Sequence, residues 1–326
     1  YWNYFTVIRT TSLTFTQAHG FVNSSGRYVT GATITDRWNR YYKFVTQFRE
    51  LEKVYATLSP ADQAANKIFM ITATIYLYDH TSKMIDNVGD IPFSQAGKIS
   101  MTGGDYTKAM AKYDNQTELY IKMLDELKAF STELNSVTLT AGVETVFKNQ
   151  DLINKGSLVS WKNYCNSLRL KLLNRVSAVP ALTSRANSEM AEIIAEGKIV
   201  DESAENIAFR VYTQEIDLDT AGFFDALESG NNNIAPKPMI DHMNTNSDPR
   251  EAWLFQKGAN ATAYVGLDPT LASGAQDQLI ADTKIALYNM SVISKNKWLP
   301  GTLINAPEVN LILAEYYTRN GNGALA

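Results

Sequence analysis

The chain has 326 residues, 45% of them hydrophobic and 20% charged, which is typical of a folded protein with a sizeable core. Its 30 Lys and Arg residues against 34 Asp and Glu residues give a net charge of −4, and this disfavours binding to a nucleic-acid backbone. One cysteine excludes a disulfide within the chain and a multi-thiolate metal site. The 17 Tyr, 13 Phe and 5 Trp residues can serve a core or a binding surface equally well.

The first predicted elements form a helical hairpin. Apolar residues recur every three or four positions over residues 38–58 and again over 64–78, which predicts two helices. We expect Asp36 to be the N-cap of the first helix. Ser59 then caps the second helix, Pro60 occupies its first position, and Asp62 completes a capping box. Because the joint is so short, the two helices must lie antiparallel.

Further helices are predicted over residues 114–134, 159–176 and 188–196, and a last one begins at Pro307. Between residues 201 and 303 the pattern is looser, with a short strand predicted at 207–211. The expected fold is therefore mainly α, a tetratricopeptide-like helical-repeat scaffold with long irregular loops and minor β structure, although the spacing does not fix a 34-residue period. Long loops on such a scaffold are where binding residues usually lie.

Several segments follow one another in a characteristic order along the chain. They are residues 87–96 (NVGDIPFSQA), 112–127 (KYDNQTELYIKMLDEL), 156–171 (GSLVSWKNYCNSLRLK), 247–250 (SDPR), 264–266 (YVG) and 303–315 (LINAPEVNLILAE). Jointly they resemble the SusD/RagB family of outer-membrane nutrient-binding lipoproteins of Bacteroidota. Gly156-Ser157 stands where the family pattern has Gly-Asp, and family members extend beyond both ends of this chain.

The resemblance implies a single SusD-like domain over residues 1–326, incomplete at both ends. A helical-hairpin scaffold would cover about 36–197 and 305–320, and a loop-rich ligand side about 1–35 and 201–303. It implies a non-catalytic protein at the cell surface, held in the outer membrane by a lipid anchor that this chain does not contain. Such a protein captures oligosaccharide, or peptide in some members, without a cofactor, and passes it to a TonB-dependent SusC-like transporter.

Four cations cluster in the predicted helix over residues 159–176 and could suggest an anion site: Lys162, Arg169, Lys171 and Arg175. In a chain of net charge −4 we favour the alternative, in which the apolar face packs inward and the cations stay solvated. Cys165 lies in the same helix among apolar neighbours, and this predicts a buried, inert thiol.

Catalytic and metal motifs are weak. No Walker A, His-Glu-x-x-His or Gly-x-Ser-x-Gly sequence is present, and no segment arranges the carboxylate pair that a glycosidase needs. Four acidic residues approach calcium-loop spacing, but Ala221 occupies a ligand position, so we predict no metal and keep calcium only as a candidate at Asp217, Asp219, Asp225 and Glu228. A glycoside-active enzyme, a peptide binder and a plain helical scaffold remain alternatives.

The aromatic residues divide by context. Those on helical stripes, beginning with Trp38 and Tyr41, are expected in the core, whereas others lie in irregular segments beside Asn, Arg or Gly. A sugar ring offers an apolar face and a polar rim, and it therefore fits an aromatic side chain surrounded by hydrogen-bonding groups. Each loop aromatic could equally anchor its loop to the core. The predicted ligand-binding residues are Trp2, Tyr4, Tyr28, Trp253, Tyr264 and Trp298, with Arg9 and Asn260 as polar partners.

Overall fold

The computed structural model confirms a mostly helical protein with minor β structure. It divides into two compact units. We call the first, Tyr1–Arg37 with Arg210–Pro300, the insertion unit, and the second, Trp38–Phe209 with Gly301–Ala326, the helical unit. The residues that the structure describes are 13, 15–22, 32–209, 233–293, 300–321 and 323–325.

The helices follow in chain order as α1 (Ala32–Ala56), α2 (Pro60–Val88), α3 (Tyr106–Ala109), α4 (Gln116–Glu133), α5 (Ala141–Gln150), α6 (Leu158–Val176), α7 (Thr183–Glu196), α8 (Lys237–Asn246), α9 (Glu251–Leu254), α10 (Ser273–Ala281) and α11 (Ala306–Arg319). The strands are β1 (Ile207–Phe209), β2 (Phe255–Gln256), β3 (Leu287–Tyr288) and β4 (Gly301–Ile304). Single 3-10 turns lie at Ile99–Thr102, Ser203–Glu205 and Gly323–Leu325.

The joint between α1 and α2 forms as its sequence predicts. The backbone N–H of Asp62 donates to the Ser59 hydroxyl at 3.2 Å, and Pro60 is the first helical residue. The start of α1 was placed wrongly, because the helix begins at Ala32 and Asp36 therefore lies inside it. No Gly or Pro interrupts residues 32–35, so nothing in that stretch stops the helix from extending by a further turn.

Helix α6 lies at the centre of the helical unit, where it contacts α4, α7 and α11. Tyr164, Cys165 and Leu168 are fully buried on it. The Tyr164 hydroxyl donates to Asp79 Oδ2 at 2.7 Å, which ties α6 to α2 and satisfies a carboxylate that is itself buried. On a helix enclosed on several sides, most buried polar side chains are hydrogen-bonded to a neighbour.

Two of the four cations of α6 are buried, contrary to the prediction. Lys162 and Arg169 are each about 4% exposed, so the expectation that they stay solvated is wrong. Lys162 Nζ lies 2.7 Å from Glu196 Oε1, and Arg169 Nη2 lies 3.1 Å from Glu189 Oε2. Both acids belong to α7, which packs against α6. Sequence periodicity does not show which helices pack together. Lys171 and Arg175 keep more solvent contact, consistent with the prediction.

We predict that the thiol of Cys165 reacts very slowly with thiol reagents in the native chain. Complete burial raises its pKa to about 12, so almost none of it is thiolate at neutral pH. With 5,5′-dithiobis(2-nitrobenzoate) at pH 8, we expect a reaction roughly a thousandfold slower than in guanidinium chloride, where the thiol regains its ordinary pKa. Comparable rates in the two solvents would contradict burial of this helix face.

Strands β1 and β4 form a short ladder in the helical unit. Strand β1 pairs antiparallel with β4, and Ile207 stands opposite Ile304. The sequence predicts a strand over 207–211, of which residues 207–209 are confirmed and the last two lie outside the described residues. Both isoleucines are buried in the main core. The short ladder therefore joins the two chain segments on either side of residues 210–300.

Candidate ligand-binding surface

Short extended segments organise the described part of the insertion unit. Strand β2 pairs antiparallel with β3, with Phe255 opposite Tyr288. The backbone N–H of Ala235 donates to Ala286, and that of Ala286 donates to Val265, at 2.9 and 2.8 Å. These segments enclose a small apolar core formed by Ala235, Ile240, Met243, Phe255 and Ala286. This core fixes the backbone that carries Trp253, Asn260 and Tyr264.

The Ser-Asp-Pro-Arg segment forms the turn from α8 into α9. Ser247 is the C-cap of helix α8, and its φ of 49° is left-handed. Asp248 Oδ1 then accepts the backbone N–H and the Nε of Arg250, both at 2.9 Å. Hydrogen bonding to the Arg250 guanidinium lowers the pKa of Asp248 to about 2. The segment is therefore a charged turn that sets the direction of α9.

Trp253 is a strongly exposed aromatic side chain of the described insertion unit, at 60%. Asn289 holds the backbone here, because its Nδ2 donates to the Trp253 carbonyl at 3.1 Å and its backbone N–H donates to the Leu254 carbonyl at 2.7 Å. Gln256 Nε2 in turn donates to Asn289 Oδ1 at 3.1 Å. The result is an exposed indole on a fixed backbone, beside two amide side chains.

Tyr264 lies at the edge of the small core. Its ring is half-buried against that core, and Lys257 Nζ lies 5.2 Å from the ring centre. The same ammonium donates to the Thr262 carbonyl at 3.0 Å, and Asn244 Nδ2 donates to the Tyr264 carbonyl at 3.2 Å. The Tyr264 ring therefore packs against the small core and also lies beside the Lys257 ammonium.

The glycine of the Tyr-Val-Gly segment is required by a close backbone approach. A Cβ on Gly266 would lie 2.4 Å from the Lys237 Cα, and backbone atoms cannot yield as a flexible side chain can. We expect Gly266→Ala to destabilise the chain by about 1–3 kcal/mol. Gly274 of α10 is the matched control, because its Cβ would meet nothing within 4 Å, and alanine there should stabilise by about 0.5–1 kcal/mol. Chemical denaturation measures both, and equal effects would contradict this packing.

Asn260 uses its amide to hold the loop. Its backbone N–H donates to Thr283 and its Nδ2 donates to Asp282, each at 3.1 Å. The two bonds close the loop that follows β2 against the turn before β3. Asn260 therefore has a structural role, and its predicted place as a polar partner for ligand stays a prediction.

Sequence reasoning missed Gln256 and Asn289 as polar neighbours of Trp253. Asn289 reaches Trp253 from 36 positions along the chain, and no local pattern could have paired them. The other predicted residues lie outside the described residues: Trp2, Tyr4, Arg9, Tyr28 and Trp298, and the calcium candidates Asp217, Asp219, Asp225 and Glu228.

The described residues hold neither a metal-binding cluster nor a membrane-spanning helix. In that part of the chain, no group of three or more His, Cys, Asp or Glu side chains is placed to hold a metal ion. Among the helices described, none has the length and apolar character needed to cross a membrane.

A family model covers almost the whole chain and shows its family. Residues 7–323 match the SusD-like family described as "Starch-binding associating with outer membrane". The chain belongs to the SusD-like family. This SusD-like chain matches no curated protein.

Solved structures share the fold of this SusD-like chain. A chitin-binding SusD homologue from Flavobacterium johnsoniae is 22% identical with a TM-score of 0.65, covering 87% of this chain and 53% of its own. A SusD/RagB family protein from Bacteroides thetaiotaomicron is 18% identical with a TM-score of 0.68, covering 97% and 65%. A SusD homologue from Parabacteroides distasonis is 19% identical with a TM-score of 0.68, covering 96% and 64%. The chain thus spans about half to two thirds of the length of its solved relatives.

Proposed function

We propose that this chain binds an oligosaccharide and does not cleave it. The observation that carries the proposal is the indole of Trp253, 60% exposed on a backbone that Asn289 holds in place. A pyranose ring stacks its C–H face on such a side chain, while its hydroxyls need donors and acceptors at the rim. The exposed amide of Gln256 supplies that chemistry near Trp253, while the half-buried amide of Asn289 is engaged by the Trp253 carbonyl, Gln256 and Ser291.

Family membership supports the same ligand class. The matching family is described as starch-binding, and one structural relative is described as chitin-binding. Both ligands are polymers of pyranose rings, and aromatic stacking depends on the ring rather than on a particular substituent. We therefore choose a malto-oligosaccharide and a chito-oligosaccharide as the probes that discriminate within the class.

We further propose a location and a partner. The full-length protein would be a lipid-anchored protein on the cell surface, associated with the outer membrane as the family description states. The helical unit, predicted to be tetratricopeptide-like, would face a TonB-dependent SusC-like transporter, and the insertion unit would hold the ligand. Co-purification of the full-length protein with the transporter after co-expression is the expected result, and separate elution of the two would contradict the delivery role.

Calorimetric titration tests the binding proposal. Maltoheptaose or chitohexaose is expected to bind the chain, whereas a mixture of random hexapeptides is not. Chromatography of the recovered sugar should show unchanged chain length after prolonged incubation. Binding of the peptides alone would favour the peptide-binding alternative, and shortened sugar would favour the enzyme.

A further inference from the structure

The helical unit contains a cavity that the proposed glycan surface does not involve. Its volume is about 290 Å³, at the small end of the range for ligand pockets. Helix α1, helix α2, helix α4 and the loop after α2 all contribute to its wall. A cavity of this size suits a molecule as small as a single sugar ring or an amino acid.

Arg49 and Asp114 hold the loop that lines the cavity. Arg49 is buried, and its Nε and Nη2 donate to the carbonyls of Ala96 and Phe93 at 3.1 and 2.7 Å. Its guanidinium carbon lies 5.2 Å from the centre of the Phe93 ring. Asp114 accepts the backbone N–H groups of Phe93 and Ser94 at 2.7 and 2.8 Å. The loop that lines the cavity is therefore preformed, so a ligand would not have to order it.

The charges of the residues that line the cavity do not balance. Arg49 pairs with Glu52 at 2.7 Å, and Lys122 pairs with Glu126, which also accepts the Tyr78 hydroxyl. Lys98 is half-buried in the wall, and its ammonium has no acceptor among the described residues. Two matched pairs and one remaining lysine leave the residues that line the cavity with a surplus of one positive charge, while the Asp114 carboxylate, which is not among them, is engaged by the backbone N–H groups of Phe93 and Ser94.

We infer that this cavity binds a small carboxylate, with the ammonium of Lys98 as its ion-pair partner. A single unpaired cation complements one negative charge, whereas a phosphate monoester brings nearly two. The apolar floor formed by Phe48 and Leu77 would contact the body of the ligand. The carboxylate can belong to a sugar acid or to an acylated amino acid, and the two sources share this recognition chemistry.

The test uses D-glucuronate and N-acetylalanine as carboxylate probes and D-glucose as the neutral counterpart of the first. Calorimetry on the chain should show binding of at least one carboxylate at millimolar concentration and at least tenfold weaker binding of glucose. Lys98→Met should weaken the carboxylate at least tenfold. Lys112→Met is the matched control, since Lys112 is exposed, has no ion-pair partner among the described residues, and changes the net charge equally. It should bind as the unaltered chain does.

Three results would overturn the inference. They are absence of binding by both carboxylates, glucose binding equal to that of the carboxylate that binds, and equal effects of the two lysine substitutions. Trp253→Ala should leave carboxylate binding unchanged, so failure here is separable from failure of the glycan proposal. A thermal melt of Lys98→Met confirms that the variant is folded.

Discussion

Replacing Glu189 by alanine is expected to destabilise the chain by about 3–5 kcal/mol, because it leaves a buried guanidinium without its counter-charge. The Arg169 side chain is 5% exposed and the Glu189 side chain 9%. Glu189 also accepts Arg185 Nε at 2.9 Å, whereas the other contact of Arg169 is to Asn166 Oδ1 at 3.3 Å. Water cannot replace the lost carboxylate at that depth. Urea denaturation of Glu189→Ala measures the loss.

Two further variants test whether the loss of stability comes from the buried charge or from any change to this helix. Glu192→Ala on the same helix removes a carboxylate that is 55% exposed and pairs with Lys128 at 3.0 Å, and it should cost under about 1 kcal/mol. The double variant Arg169→Met with Glu189→Leu should recover most of the lost stability, because it removes both buried charges together. Equal losses for Glu189→Ala and Glu192→Ala would contradict the burial of this ion pair.

Much of the helical unit was predictable because its information is local, although α5 was not predicted and α7 begins at Thr183 rather than at the predicted residue 188. Ser59 and Pro60 mark a helix start by chemistry confined to four residues, and Gly197 ends α7 in the left-handed conformation that glycine favours. Asp36 failed as a start signal because an acidic residue can also occupy the first turns of a helix that began earlier. Periodicity identifies a helix face well and its first residue poorly.

The candidate site was predictable only in part, because it depends on contacts between distant segments. Trp253 could be selected from the sequence as an aromatic in an irregular segment. Its amide neighbours could not, since Asn289 reaches it through the pairing of β2 with β3. The buried pair of Arg169 and Glu189 was missed for the same reason, because two helices must first be packed before a cation on one can be seen to face an acid on the other.

Substituting Trp253 should separate binding from folding. Trp253→Ala is expected to weaken oligosaccharide binding at least tenfold, about 1.4 kcal/mol or more, because the stacking face is lost. The melting temperature should change little, since the side chain is 60% exposed and its neighbours bond to its backbone rather than to its ring. Calorimetry with the preferred oligosaccharide and a thermal melt of the same sample measure the two effects.

The control for that substitution is a second exposed aromatic in the helical unit. Tyr106 is 76% exposed, so Tyr106→Ala removes a comparable ring from the solvent-facing surface, and it should leave the affinity unchanged. Trp253→Phe keeps a stacking face and should retain part of the affinity. Trp298→Ala extends the test to the other tryptophan that the sequence selects. If the Trp253 and Trp298 variants both bind as the unaltered chain does, the ring that stacks on the sugar must lie elsewhere in the molecule, because loss of a stacking face cannot leave the free energy of binding unchanged.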